Sequence, residues 1–232
     1  MSVSVSFLEL FDKTTNSSFC GISYGTDSFE VNEYDPNPSD VPLTHLQVNQ
    51  EGAYFTSFTH SLIKGMKCIT ETRSNHLLDS DCDGIAFVDH EAHEGLIFAE
   101  LKSRFNVSRI VKAYKQMVFS FLKMHAMLCL CKDYFIDKIS LQLIAACQCF
   151  ENTDQEDSVY DRISKAELLS DLSFEGVLLR RLIEQRYVSI KLGEITDIWN
   201  LPLCDALTQK ELILTLHMTE NYGDESTVYS IT

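Results

Sequence analysis

Residues 83–102 read Asp83-Gly-Ile-Ala-Phe-Val-Asp-His-Glu-Ala-His-Glu-Gly-Leu-Ile-Phe-Ala-Glu-Leu-Lys102. Two apolar runs, Ile85–Asp89 and Leu96–Lys102, flank the polar loop His90–Gly95, which ends in glycine. Runs of this length separated by a short polar segment predict an antiparallel hairpin. Side chains alternate across a strand, so Glu100 and Lys102 share one face and Leu101 takes the other. Asp83 opens the first strand, where an antiparallel neighbour brings it beside Glu100 and Lys102. Asp79 and Asp81 compete for that role, but the apolar run starts immediately after Asp83. Two carboxylates and the Leu101 carbonyl make an oxygen site suited to Mg²⁺ or Mn²⁺. An adjacent ammonium can orient a water and stabilise charge developing on a phosphate.

The next segment predicts the strongest helix of the chain. With Ser108 as its cap, apolar residues recur at 110, 111, 114, 117, 118, 121, 122 and 128. At 100° per residue, Lys112, Gln116, Ser120 and Lys123 all fall within about 60° of Arg109, while Ile110, Val111, Tyr114, Met117, Val118, Phe121 and Leu122 span roughly 80° to 220°. One face is made to pack on a sheet, and the other carries a stripe of cations and amides. His125 falls on the apolar side and reads as a core residue. A third strand is expected in the Ile139–Cys147 region.

Upstream, Val3–Phe11 and Ser18–Tyr24 look β-like, Asp35–Asp40 is a polar turn, and 53–69 shows helical apolar spacing from Tyr54 and Phe58 to Ile69. Downstream, an acidic linker at 151–157 precedes a helix at about 163–186, strands at Tyr187–Leu192 and Glu211–Met218, and a frayed polar tail. Helix, strand pair, helix, strand indicates an α/β or α+β core. The chain divides into a β-rich N-terminal extension (1–52), a core (53–150) and a C-terminal helical and strand addition packing on that core (151–232).

Asp83-Gly-Ile-Ala-Phe followed by Ile97-Phe-Ala-Glu-Leu-Lys102 resembles the D…(D/E)xK core of the PD-(D/E)xK nuclease superfamily. The likeness covers about residues 53–150. It implies a restriction-endonuclease-like fold with a central mixed sheet flanked by helices, in the order α-β-β-β-α-β, with N- and C-terminal additions here. It also implies Asp83 and Glu100 as metal ligands, Lys102 as the catalytic lysine, and Gln116 facing the metal or the scissile phosphate. Cys82 stands where many members carry proline. The superfamily's upstream acid has Glu71 as its nearest counterpart, with Glu51 behind it. Recombination-type members follow the helix glutamine by four with tyrosine, where this chain has Ser120, so the likeness extends to the superfamily and to no subfamily. It implies a Mg²⁺- or Mn²⁺-dependent endonuclease or exonuclease acting on DNA more often than RNA, in restriction, repair, recombination or antiviral defence. Arg104, Arg109, Lys112 and Lys123 would then hold backbone phosphates. The alternative is a catalytically inactive, nuclease-like interaction subunit.

Charge adds a constraint. The 232 residues carry a net charge of −15, which disfavours a freestanding nucleic-acid binder. Residues 101–138 nevertheless hold eight basic and two acidic side chains, +6 in total, leaving −21 for the remainder. A protein partner such as a helicase, or self-assembly, is therefore expected to deliver the substrate. The eight cysteines lie singly or as Cys-x-Cys pairs without zinc-knuckle spacing, and read as reduced, mostly buried thiols. His90-Glu-Ala-His-Glu94 reads as a solvated turn, and neither GxxxxGK[ST] nor GxGxxG is present. No apolar run approaches the roughly 20 residues that cross a bilayer. Residues 1–12 carry acids and no basic n-region, so the expectation is a cytoplasmic protein without a secretory signal.

Overall fold

The computed structural model describes residues 2–14, 22–33, 43–58, 81–91, 93–168, 174–196, 201 and 203–231. Strand β1 (Ile22–Asn32), β2 (His45–Phe58), β3 (Gly84–His90) and β4 (His93–Lys102) form successive antiparallel pairs. Helix α2 (Val107–Leu128) crosses from β4 to β5 (Ile139–Cys147), which lies parallel to β4. A parallel pair needs such a long connection, whereas the antiparallel β3–β4 pair turns at once. Further along, β6 (Tyr187–Lys191) is antiparallel to β7 (Glu211–Met218), and β7 is parallel to β5. The eight-stranded mixed sheet runs β1-β2-β3-β4-β5-β7-β6, and β8 (Ser226–Ser230) pairs in parallel with β2. Helices α1 (Val3–Thr14), α3 (Thr153–Leu168), α4 (Leu179–Gln185), α5 (Leu192–Thr196) and α6 (Asp205–Thr208) complete the α+β arrangement.

Apolar side chains occupy both faces of the central strands. On one face Phe7 of α1, Phe87, Phe98 and the Tyr114–Met117–Phe121 side of α2 form the larger core. Phe98 of β4 meets Phe121 of α2 edge to face at 6.0 Å. On the other face Ala86, Ile97, Ala99, Leu101 and Ile144 pack against Phe29, Val31, Leu46 and Val48. The second packing exists because β1 and β2 bend. Their register shifts between Thr26 and Ser28, where the Gly52 amide donates to Asp27 Oδ1 at 2.6 Å and Gly52 has φ +74. Beyond that bulge β2 leaves β3 and pairs with β8, so the near halves of β1 and β2 fold over the sheet. Bulges of this kind bend and twist a strand.

Several sequence expectations are corrected. Val3–Phe11 is helical, because Val3 and Phe7, four apart, insert together beside Phe58 and Phe87. Glu94 Oε1 also accepts from the Val3 amide and caps the helix start. Residues 53–58 are strand; burial on both faces of β2 hid the period of two that separates Phe55 from Phe58. The rest of the 53–69 helix, the 35–40 turn and residues 18–21 lie outside the described residues. Asn106, not Ser108, caps α2, its Oδ1 accepting from the Ser108 amide and hydroxyl. The hairpin loop is shorter than expected, since His90 already pairs with His93 and Glu91 has φ 53.

At the C-terminal end, the acidic 151–157 stretch contributes to α3, and the helix read at 163–186 is divided between α3, a π-helical turn (Phe174–Leu178) and α4. The polar tail forms β8. The segment boundary read at residue 52 falls inside β2, and all three segments contribute strands to one sheet. Of the six described cysteines, Cys82, Cys131 and Cys147 are buried while Cys129 and Cys204 are exposed. Among the described residues no helix is long and apolar enough to cross a membrane.

At Gly84 the folded-over hairpin comes close to β3. A Cβ built there would stand 2.6 Å from Val31 Cγ2 and 2.8 Å from Cγ1. Gly84→Ala should therefore destabilise the protein by about 1–3 kcal/mol in urea unfolding, the usual cost of overpacking. Val31→Ala in the same chain should recover most of that loss, and an additive double variant would remove the contact from consideration.

Candidate active site

The end of β4 meets the start of β3 at three polar side chains. The Asp83 amide donates to Glu100 Oε2 at 3.1 Å, and Asp83 Oδ2 accepts from the Leu101 amide at 2.7 Å. Glu100 Oε1 pairs with the Lys102 ammonium. The three residues expected from the hairpin thus converge. The cause is local: Gly84 pairs with Ala99, which leaves Asp83 opposite the last residues of β4 with no further ladder partner.

Glu100 is almost wholly buried, at 2% exposure, on the α2 side of the sheet. Burial is the main force on both acids. It raises Glu100 to about 8, helped by the Asp83 carboxylate and opposed by Lys102. Burial raises Asp83 to about 7, opposed by the Leu101 amide, with the Glu33 carboxylate adding to the rise. Glu33 acts on both acids, and sequence reasoning missed it. It follows β1, where its amide donates to the Thr44 carbonyl and so extends the β1–β2 pairing. No motif spacing links it to Asp83; the one signal was an acid just beyond a strand edge. Of the two upstream acids proposed from sequence, Glu71 lies outside the described residues. Glu51 is exposed at the bulge, next to the His90 end of β3 and therefore remote from Asp83.

A hard divalent cation fits this donor set. Mg²⁺ commonly takes one or two protein carboxylates and keeps several waters. Among the described residues no three His, Cys, Asp or Glu side chains gather closely enough to hold a metal by themselves. In an extended strand the N–H and C=O of one residue leave by the same edge. The Leu101 amide faces Asp83, so the Leu101 carbonyl faces that side as well, just beyond the last β3–β4 pair. The buried Gln116 Oε1 has no partner among the described residues. It is an acceptor of the kind that a bound water satisfies.

Asp83 opens onto a cleft of roughly 370 Å³ between β1, β2 and β3, lined in part by Ser23, Tyr24, Ser28, Glu30 and Ser57. Arg104 and Lys112 are exposed, and Arg109 is half-buried. Of the rest of the stripe, Gln116 is half-buried and Ser120 and Lys123 are buried. Gln116 Nε2 donates to the Asp81 carbonyl at 3.0 Å, the buried Ser120 hydroxyl accepts from the Cys82 amide at 3.0 Å, and Lys123 forms a buried ion pair with Asp81 at 2.5 Å. The expectation that Lys123 holds phosphate is corrected accordingly: its ammonium is spent on Asp81. That pairing also removes Asp81 from competition with Asp83. His125 is half-buried, with Nδ1 at 2.7 Å from the Tyr134 hydroxyl, rather than a fully buried core residue. Compared with protein-family models, curated proteins and solved structures, the chain gives no significant match.

The raised acids have a consequence for stability in the absence of cations. A carboxyl whose folded pKa lies above its ordinary value contributes stability that is complete below about pH 4 and is lost as pH rises through the folded value. For Asp83 and Glu100 the loss therefore accumulates from about pH 4 upward and is complete once pH has passed the folded values of about 7 and about 8. In EDTA the melting temperature should fall from pH 5 to pH 8, and Glu100→Gln should flatten that slope. A wild-type slope no steeper than that of Glu100→Gln would contradict the buried-acid description.

Proposed function

We propose that this protein is a metal-dependent nuclease that hydrolyses phosphodiester bonds, with DNA as its substrate. The observation that carries this reading is the convergence of Asp83, Glu100 and Lys102 at one end of β3 and β4. The strand order supports it as well. Three antiparallel strands (β2, β3, β4), a helical crossover (α2) and a parallel strand (β5) are the pattern that the PD-(D/E)xK resemblance implies. No family or structural match adds to these two supports.

Asp83, Glu100 and the Leu101 carbonyl would hold Mg²⁺ or Mn²⁺. Such an ion neutralises phosphate charge and lowers the pKa of water when bound. Lys102, held by Glu100 at the edge of the site, orients the attacking water and stabilises the negative charge that grows on the phosphate. Arg104, between β4 and α2, and Arg109 and Lys112, on the first turns of α2, supply positive charge for the flanking phosphates. The remaining surface is strongly acidic, so a helicase-like partner or a second copy of the chain would bring substrate to the site. A subunit of a prokaryotic defence, restriction or repair system would meet that description.

Plasmid and single-stranded DNA incubated with 5 mM Mg²⁺ or Mn²⁺ (about a thousand ions per protein at micromolar enzyme, a saturating excess) test the reading. Cleavage should require the metal and fall by about a hundredfold or more in Glu100→Ala and in Lys102→Ala. Lys112→Ala should instead weaken DNA binding and reduce the salt slope by about one. Cleavage that survives both site substitutions would overturn the assignment. Folded protein that cuts no substrate with any partner would favour the interaction subunit.

A further inference from the structure

The polar side of α2 performs a task other than the one its charge advertises. Gln116, Ser120 and Lys123 lie along one stripe of the helix, and all three reach residues 81–82. Gln116 takes the Asp81 carbonyl, Ser120 the Cys82 amide and Lys123 the Asp81 carboxylate. The next residue is Asp83, whose amide and carboxylate are taken by Glu100 and Leu101 of β4. From the Asp81 carbonyl to the Asp83 carboxylate, the chain is therefore tied first to the helix and then to the neighbouring strand.

We infer that Gln116, Ser120 and Lys123 are positioning residues that set the Asp83 carboxylate at its working distance from Glu100. The inference rests on the reading of Asp83 and Glu100 as cation ligands. Asp83 precedes β3, so the ladder alone does not fix it; its last neighbour in the sheet is the Gly84–Ala99 pair. A carboxylate at a strand's entry can swing unless the backbone before it is held, and a displacement of an ångström is enough to spoil a metal site.

The buried ion pair points the same way. Lys123 and Asp81 are both nearly devoid of solvent, with side-chain exposures of 1% and 3%. Two ions lose their hydration there, and apolar residues of similar volume commonly stabilise a fold equally well or better. An apolar pair would hold the helix to the sheet but would not fix the direction in which Asp81 faces. The ammonium and the two hydrogen bonds beside it do fix it. Outer partners of this type orient ligands, and their loss typically weakens metal binding by about 10- to 100-fold.

Mn²⁺ binding to the purified full-length chain, read from the free-ion signal in electron paramagnetic resonance, tests this without requiring turnover. The informative variants are Ser120→Ala and the paired change Asp81→Leu with Lys123→Met, which removes both charges together and leaves none buried alone. Each should fold cooperatively and bind Mn²⁺ at least about tenfold more weakly than wild type. Folded variants that bind Mn²⁺ as tightly as wild type would overturn the positioning role while leaving the metal site intact. If the paired variant does not fold, Ser120→Ala decides alone. Wild-type protein that binds no Mn²⁺ would overturn the cation reading itself, and this inference with it.

Discussion

A carboxylate at the end of a doubly covered strand is the constraint around which the rest of this fold is arranged. β4 is packed from above by α2 and from below by the folded-over β1–β2 segment, so Glu100 sits where water does not reach. An isolated ion there would cost several kcal/mol. The Asp83 amide, the Lys102 ammonium and the proton that burial favours each offset part of that cost. The same pressure gives the site its chemical character. Two acids that burial raises toward neutrality would exchange their protons for a divalent cation if one bound, because its charge offsets both the cost of burying two carboxylates and their mutual repulsion.

Legibility in the sequence followed how closely each element's local apolar pattern matched the structure it adopts. The β3–β4 hairpin, α2 and β5 were readable, since the helix has one apolar side and β4 and β5 read as the continuous apolar runs of parallel strands. β2 was misread because Phe55 and Phe58 go to opposite cores and its apolar residues then fall at helical spacing. α1 was misread because Val3, Val5 and the serines between them alternate as a strand does. Local pattern lost there to a tertiary contact, the four-apart insertion of Val3 and Phe7 beside Phe58 and Phe87.

Within the site, Asp83, Glu100 and Lys102 were legible because they lie on adjacent strands close in sequence. Glu33 was not, since its approach depends on β1–β2 pairing far upstream. The helix stripe was seen correctly as a stripe and assigned the wrong partner. Periodicity reports which way Lys123 faces, but it carries no record of Asp81 arriving from another element to meet it. The basic surface that remains is correspondingly narrower than the count of cations in residues 101–138 implies.

The pairing of β8 with β2 has a temporal side. Thr44 and Glu225, 181 positions apart, are joined by backbone and side-chain hydrogen bonds at the point where these strands meet. During synthesis, residues 45–49 leave the ribosome long before residues 226–230 exist to flank them, and contacts of such high sequence separation form late. The segment that carries Glu33 toward the acids would then be secured only once residues 226–230 have been made, well after the local β3–β4 hairpin that joins Asp83 to Glu100.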